Sequence, residues 1–143
     1  MTLKELFPDG RFNVPATIED IKYAENELGV KLPKQLIDLY LETNGFRENL
    51  GNAAYLLPLK DTKYSSLVDL TKVHWTEISL TNYNVKDFIF FGSSTNDQCW
   101  AINFKNEKEI IAYHHHMEGE AEFAGENIME IYKKDYKRFE KLK

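Results

Sequence analysis

Residues 28–33, Leu28-Gly29-Val30-Lys31-Leu32-Pro33, lie between two amphipathic segments and decide how the chain begins to fold. Glycine is favoured just past a helix end, because it lacks a Cβ and adopts the left-handed conformation without strain. Proline is favoured at the start of a helix, where its missing N–H is not needed. The stretch therefore predicts a defined corner between two short helices. We expect Gly29 to adopt the left-handed conformation and Pro33 to lie at the start of the second helix.

The segments on both sides of this corner have helical periodicity. Thr17 and Asp20 form a capping box, and apolar residues follow at helical spacing, which predicts a first helix over about 17–28. Apolar residues repeat in the same way from Pro33 onward until Asn44-Gly45 ends the pattern. We therefore expect an N-terminal pair of helices.

Two more helices are predicted later in the chain. Ser66 and Asp69 resemble a second capping box, and the apolar spacing after them predicts a helix over 67–80. Asn127 is placed to cap a closing helix with one apolar stripe. This stripe consists of Ile128, Ile131, Tyr132, Tyr136 and Phe139.

Between these helices the pattern is typical of strands. A short apolar run at 53–59 predicts a strand that Pro58 confines to a sheet edge or a strand end. The continuous apolar run 88–91 predicts a strand buried on both faces, and the polar residues 92–97 predict a turn after it. The chain is thus expected to be α+β, with a mostly antiparallel central sheet packed by the N-terminal helix pair, a middle helix and a C-terminal helix.

A hairpin is predicted from segments 98–104 and 109–116. The tightest register places Trp100 opposite Tyr113 and Ile102 opposite Ile111, with Phe104 opposite Glu109. Trp100, Tyr113 and Phe104 would then give the hairpin one aromatic face. Glutamates follow the hairpin in a polar segment for which we predict no strand.

Composition restricts the functional class. The 143 residues carry a net charge of −5 with a sequence pI near 5.4, which argues against nucleic acid and favours a basic protein partner. The N-terminus lacks the apolar run of a secretory signal, and no segment approaches the roughly 20 apolar residues that cross a bilayer. We expect one cytoplasmic domain over 1–143, with 1–14 as a leader packed on it, and no membrane contact.

The residues with metal-binding or nucleophilic chemistry lie near the hairpin. The predicted register places Cys99 opposite His114 and Asp97 opposite His116, a donor set that would suit zinc. No C-x-x-C or H-E-x-x-H spacing supports such a site, and neither an oxyanion hole nor a G-x-S-x-G motif accompanies Cys99. We therefore favour solvated or core-edge histidines and a buried apolar Cys99, and predict no catalytic residue, cofactor or metal, with the zinc site as the alternative.

Acidic residues form the best candidate surface. Glu118, Glu120 and Glu122 crowd one short span, and the predicted register brings Asp97 close to them. Such a field accelerates the encounter with a basic protein and orients it. We therefore predict these four residues as the partner-binding set; the alternative is a solvated loop.

Several stretches resemble the SUKH superfamily, which includes the fungal Smi/Knr cell-wall synthesis regulators. The resemblance is most specific in the helical corner, and it extends over roughly 15–142. The resembling residues are Pro15-Ala16, Ile18 to Ile21, Glu25, the corner 28–33, Tyr40, Asn44-Gly45, Phe90-Phe91-Gly92-Ser93, Ile102-Asn103-Phe104, Ile110 to Tyr113 and Ile128 to Leu142. The chain departs from the family pattern after Ser93, where Ser94-Thr95-Asn96 precedes Asp97.

The resemblance implies an α+β module without catalytic residues. Many bacterial members are immunity proteins that bind and neutralise a cognate toxin, often a nuclease, in the cytoplasm of the producing cell. Fungal members are regulatory scaffolds. Hence the resemblance implies an immunity protein that binds a toxin, and the negative net charge makes a basic toxin domain the expected partner. The alternative is a regulator of the cell-wall (glucan) synthesis type.

Overall fold

The computed structural model describes residues 2–48, 54–60, 66–93, 98–114 and 120–141. Over these residues the chain forms five α-helices, and its seven strands form one sheet in the order β1 to β7, each antiparallel to its neighbours. The elements are α1 (Leu3–Leu6), β1 (Arg11–Phe12), α2 (Ile18–Leu28), α3 (Lys34–Glu42), β2 (Phe46–Arg47), β3 (Tyr55–Leu56), α4 (Leu67–Glu77), β4 (Phe88–Ser93), β5 (Gln98–Asn103), β6 (Ile110–His114), β7 (Ala121–Gly125) and α5 (Ile128–Lys141). In these ranges no helix combines the length and the apolar character needed to span a membrane.

Both faces of the central strands are covered, which explains the continuous apolar run of β4. Ile89 and Phe91 point to what we call the first face, which packs against α1, α2, α3 and α5. Phe88 and Phe90 point to the second face, which packs against residues of α4 and the segment after it. The predicted α+β architecture is confirmed.

The helical corner has the predicted geometry. Thr17 and Asp20 cap α2 reciprocally, and Gly29 is left-handed, with φ 73° and ψ 18°. The Glu25 carboxylate accepts a hydrogen bond from the Leu32 main-chain N–H at 2.9 Å, and thus ties the corner to the last turns of α2. Pro33 is the N-cap of α3, one position before its first helical residue.

Other predicted boundaries shift by a few residues. Helix α4 ends at Glu77 instead of residue 80, although Ser66 caps its start as expected. The strand predicted at 53–59 is shorter, since β3 ends before Pro58; Ala53 lies outside the described residues. The short strands β1 and β2 carry no period-2 pattern that would have predicted them.

The predicted hairpin register is wrong by one residue. Trp100 pairs with Ala112, and Cys99 pairs with Tyr113. The loop between β5 and β6 contains one residue more than predicted, because the Asn103 and Asn106 side chains accept main-chain hydrogen bonds two residues on and stabilise turns there. A slip of one residue moves a side chain to the other face, so Trp100 and Tyr113 lie on opposite faces and the aromatic face does not form.

The glutamate-rich segment contains the strand β7, which the sequence analysis did not predict. Ala121–Gly125 pairs with β6 and is the last strand of the sheet. Glutamate and glycine are depleted in strands, so the local signal was weak. The main chain nevertheless extends the sheet, and this position decides where the acidic side chains point.

Candidate partner-binding site

The structure places two of the four predicted partner-binding residues at the edge of the sheet. Glu122 lies within β7, opposite Ala112, and Glu120 lies immediately before the strand. Both side chains are exposed. Asp97 and Glu118 lie outside the described residues. Of the predicted set, Glu122 therefore sits on a strand, which holds its backbone more rigidly than a loop would, and Glu120 directly precedes that strand.

Glu122 is held in place by a polar chain that crosses three strands. The Gln98 amide nitrogen lies 3.4 Å from His114 Nδ1, and His114 Nε2 lies 3.2 Å from the Glu122 carboxylate. When the Gln98 amide donates to Nδ1, the ring proton is on Nε2 and is donated to Glu122. The chain thereby orients one oxygen of a carboxylate whose side chain is still 66% exposed.

The zinc-type donor set does not assemble as the predicted register required. The Cys99 and Tyr113 side chains lie on the second face of the sheet. His114 pairs with Gln98, and its side chain lies on the first face. Cys99 is buried within the second-face core, as predicted for a small apolar residue. Among the described residues, no three His, Cys, Asp or Glu side chains are grouped to hold a metal ion. His116 lies outside the described ranges.

Beside Glu122 a cleft opens between the first face of the sheet and α5. Its volume is about 210 Å³. Strands β5 to β7 form one wall and the floor, and one side of α5 forms the other wall. The cleft is lined by Gln98, Trp100, Ala112, Glu122, Phe123, Ala124, Ile131, Lys134 and Asp135.

Asp135 is the residue of this cleft that the sequence analysis missed. Its side chain is only 4% exposed, and the other buried side chains of α5 within residues 128–137 are apolar or aromatic. It occupies a position of the apolar stripe, three residues after Tyr132 and four after Ile131. A charged residue at a stripe position was the signal that could have identified it.

Trp100 forms the floor of the cleft and connects it to the core. Its indole lies edge-on to the Tyr132 ring at a centroid distance of 4.8 Å. Tyr132 in turn donates a hydrogen bond to the main-chain oxygen of Tyr55 at 2.8 Å. The floor is therefore supported by packed aromatic residues from the sheet and from α5.

Comparison with known proteins agrees with this architecture. A sequence model of the SMI1 / KNR4 family (SUKH-1) matches residues 15–139, from just before α2 to near the end of α5. Among curated proteins, none matches the sequence. The family match confirms the resemblance found in the helical corner and extends over the sheet and the cleft. The chain belongs to the SMI1 / KNR4 family (SUKH-1).

Proposed function

We propose that the protein is a non-catalytic immunity protein that binds and neutralises a basic toxin domain in the cytoplasm. Membership of the SMI1 / KNR4 family supports a protein-binding module of the immunity or regulator type. The observation that favours immunity is the pair of exposed glutamates Glu120 and Glu122 at the edge of the sheet, which we call the acidic edge, on a chain with a net charge of −5. We propose that Asp97 and Glu118 extend this edge.

The charge of Glu122 and its position at the edge of the sheet both favour binding of a basic partner. Glu122 is exposed on the last strand of the sheet, and His114 fixes its orientation. An attractive field of this kind raises the association rate with a basic protein and has little effect on the fold. Toxin domains that cleave nucleic acid carry basic surfaces to hold phosphates, so their charge complements the acidic edge.

The first experiment is a protection assay. The reading frame directly upstream is expressed as a toxin domain in a test strain, with and without this protein. We expect growth to be restored only when both are present. A partner that is not toxic, captured from the source cell with no protection observed, would support the regulator alternative instead.

The second experiment locates the surface. The double variant Glu120→Lys/Glu122→Lys should associate with the toxin at least about tenfold more slowly at low salt, and with much weaker salt dependence. The matched control is Asp9→Lys/Glu77→Lys, which changes the net charge equally at two exposed sites outside β7 and the cleft. Equal rates for the two double variants would contradict the acidic edge as the docking face.

A further inference from the structure

Strand β7 is one edge of the sheet, and its outer side presents main-chain groups to which a further strand can pair. The His114 N–H donates to the Glu120 main-chain oxygen at 3.4 Å, so the main-chain groups of Glu120, and of Glu122 two residues on, face β6. The N–H and C=O groups of Ala121 and Phe123 therefore point away from β6. Among the described strands none lies beyond β7. An added strand would form its hydrogen bonds there.

The side chains of β7 differ between the two faces of the sheet. Ala121 and Phe123 lie on the second face, and Phe123 is 55% exposed. Glu122 lies on the first face, and both it and Glu120 are exposed. A strand added beyond β7 would cover part of the Phe123 ring and would bring every second side chain beside the glutamates. The edge therefore favours a segment in which apolar and cationic residues alternate.

We infer that β7 binds an extended basic segment of the protein partner as an additional antiparallel strand. The inference rests on the proposed function and names the way in which the partner is held, since main-chain hydrogen bonds supply affinity and the glutamates select a cationic sequence. Apolar residues of the segment lie opposite Ala121 and Phe123, and a lysine or arginine lies opposite Glu122. Every neighbouring pair of described strands is antiparallel, so the segment continues the geometry of the sheet.

The contact between His114 and Glu122 is compatible with such a strand. It involves one carboxylate oxygen, Oε1, and the Glu122 side chain remains 66% exposed. A cation across the strand pair is attracted by the charge of the whole carboxylate and does not need the oxygen that the histidine contacts. Because the contact already restricts the side chain, less conformational entropy is lost when the partner binds.

The opposite edge of the sheet is less suited to a basic segment. Strand β1 has only two residues, Arg11 and Phe12. The Phe12 ring is stacked on Phe46 at a centroid distance of 5.3 Å, so its apolar surface already packs within the protein. The Arg11 charge would repel a cationic strand. Strand β7 is longer, with five residues, and carries the opposite charge.

A second copy of this chain is a less favourable occupant of the edge. If Ala121 of one copy paired with Phe123 of the other, the two Glu122 carboxylates would lie directly opposite each other. If the two Ala121 residues paired, each Glu122 would lie opposite a Glu120. Pairing the two Phe123 residues would place Ala121 against Gly125, at the bulge where the register of β6 and β7 shifts. Each symmetric register therefore meets like charges or a bulge.

The test uses a blocked peptide, acetyl-Val-Arg-Val-Arg-Val-amide, as the probe. We expect saturable binding in an NMR titration of the full chain. In the complex the amide hydrogens of Ala121 and Phe123 should exchange with solvent at least about tenfold more slowly, because they become hydrogen-bonded. The Glu122 amide, which faces β6, should change less, and exchange at Arg11 and Phe12 on the opposite edge should stay the same.

Two matched peptides separate strand pairing from attraction by charge alone. In the proposed register the valine N–H groups point toward β7 and the arginine N–H groups point away. Methylation of the valine nitrogens should abolish binding, whereas methylation of the arginine main-chain nitrogens should preserve it. Replacing both arginines by glutamates should weaken binding at least about tenfold, because the charges then repel.

Variants of the protein test the same contacts. Ala121→Pro removes one outward N–H without removing a donor to β6, and it should weaken the probe at least about tenfold. Ala121→Val has similar bulk and keeps the N–H, so it is the matched control and should bind normally. Glu120→Gln/Glu122→Gln should weaken binding about three- to tenfold and reduce its salt dependence. If Ala121→Pro does not fold, the methylated peptides still decide the result, because they leave the protein unchanged.

Three results would overturn the inference: no saturable binding, equal binding of the two methylated peptides, or slower exchange at residues other than Ala121 and Phe123. The same holds if sedimentation shows a dimer whose Ala121 and Phe123 amides are protected without the peptide, because the edge would then bind a second copy. Toxin assays separate this inference from the proposed function. Full protection of cells by a folded Ala121→Pro variant would reject the added strand and leave immunity standing, whereas probe binding without any protection by the wild type would reject immunity alone.

Discussion

The Tyr132 side chain of α5 lies directly against the backbone of Gly92 in β4. A Cβ added to Gly92 would lie 2.5 Å from the Tyr55 main-chain oxygen and closer still to the Tyr132 hydroxyl. These two groups are hydrogen-bonded to each other at 2.8 Å. The absence of a side chain at Gly92 therefore leaves the space that the Tyr132 hydroxyl occupies where α5 packs against the sheet.

Gly92→Ala should destabilise the protein by about 1–3 kcal/mol, because the added methyl group must displace the hydroxyl or the strand. Chemical denaturation of the variant measures this loss. In a Tyr132→Phe background the nearest clash is absent, so the same substitution should cost less. Additive effects of the two substitutions would show that the hydroxyl and Gly92 do not compete for the same space.

Gly29 provides a second test with a different physical cause. Nothing lies within 4 Å of a Cβ added there, so any cost comes from its φ of +73°. We expect Gly29→Asn to reduce the stability least. Gly29→Ala should reduce the free energy of unfolding by about 1 kcal/mol, and Gly29→Val by about 1–3 kcal/mol. Thermal unfolding of the series gives the order. Equal stability of the alanine and valine variants would contradict the left-handed cap.

Gln35 joins three distant segments and should be a sensitive position. Its amide nitrogen donates to the main-chain oxygens of Glu107 and Glu126, and its amide oxygen accepts from the Ile128 N–H. Gln35→Ala removes the side-chain hydrogen-bond partner of these three main-chain groups. We expect the free energy of unfolding to fall by about 1–3 kcal/mol. Gln35→Glu keeps an acceptor for Ile128 but cannot donate, so it should not restore stability. Lys34→Ala, on the exposed neighbour, is the control.

Stability should fall at alkaline pH because of two buried tyrosines. Burial raises the pKa of Tyr40 and of Tyr132 well above the ordinary value of 10.0. The folded state therefore disfavours tyrosinate. This contribution to stability is fully present below pH 10 and is lost as the pH rises above 10 toward the raised pKa values, by up to about 1.4 kcal/mol per pH unit for each group.

Urea denaturation between pH 8 and pH 12 measures how steeply the free energy of unfolding falls as the pH rises. Tyr132→Phe should be less stable at pH 8, because the hydrogen bond to Tyr55 is lost, but its stability should fall less steeply above pH 10. Tyr23→Phe is the matched control at a side chain that is 38% exposed. A wild-type slope equal to that of Tyr132→Phe would show that Tyr132 does not titrate with unfolding.

Local features of the sequence determined the helices. The Thr17 hydroxyl and the Asp20 main-chain N–H are three residues apart, and the αL cap at Gly29 depends on its own backbone, so neither needs a distant partner. The buried strand β4 was similarly evident, because its continuous apolar run is typical of a strand covered on both faces and is followed by turn residues. These features could be predicted since the interactions that stabilise them lie within a few residues.

The tertiary structure alone decided the register and the site. A shift of one residue between β5 and β6 changes the face of every side chain, and the loop's asparagine turns and the packing on both faces select one register. Strand β7 exists because β6 offers it main-chain partners, although its own sequence disfavours a strand. The acidic residues were visible in the sequence, but the cleft between Glu122 and Asp135 depends on how α5 packs across the sheet, and no local pattern encodes that contact.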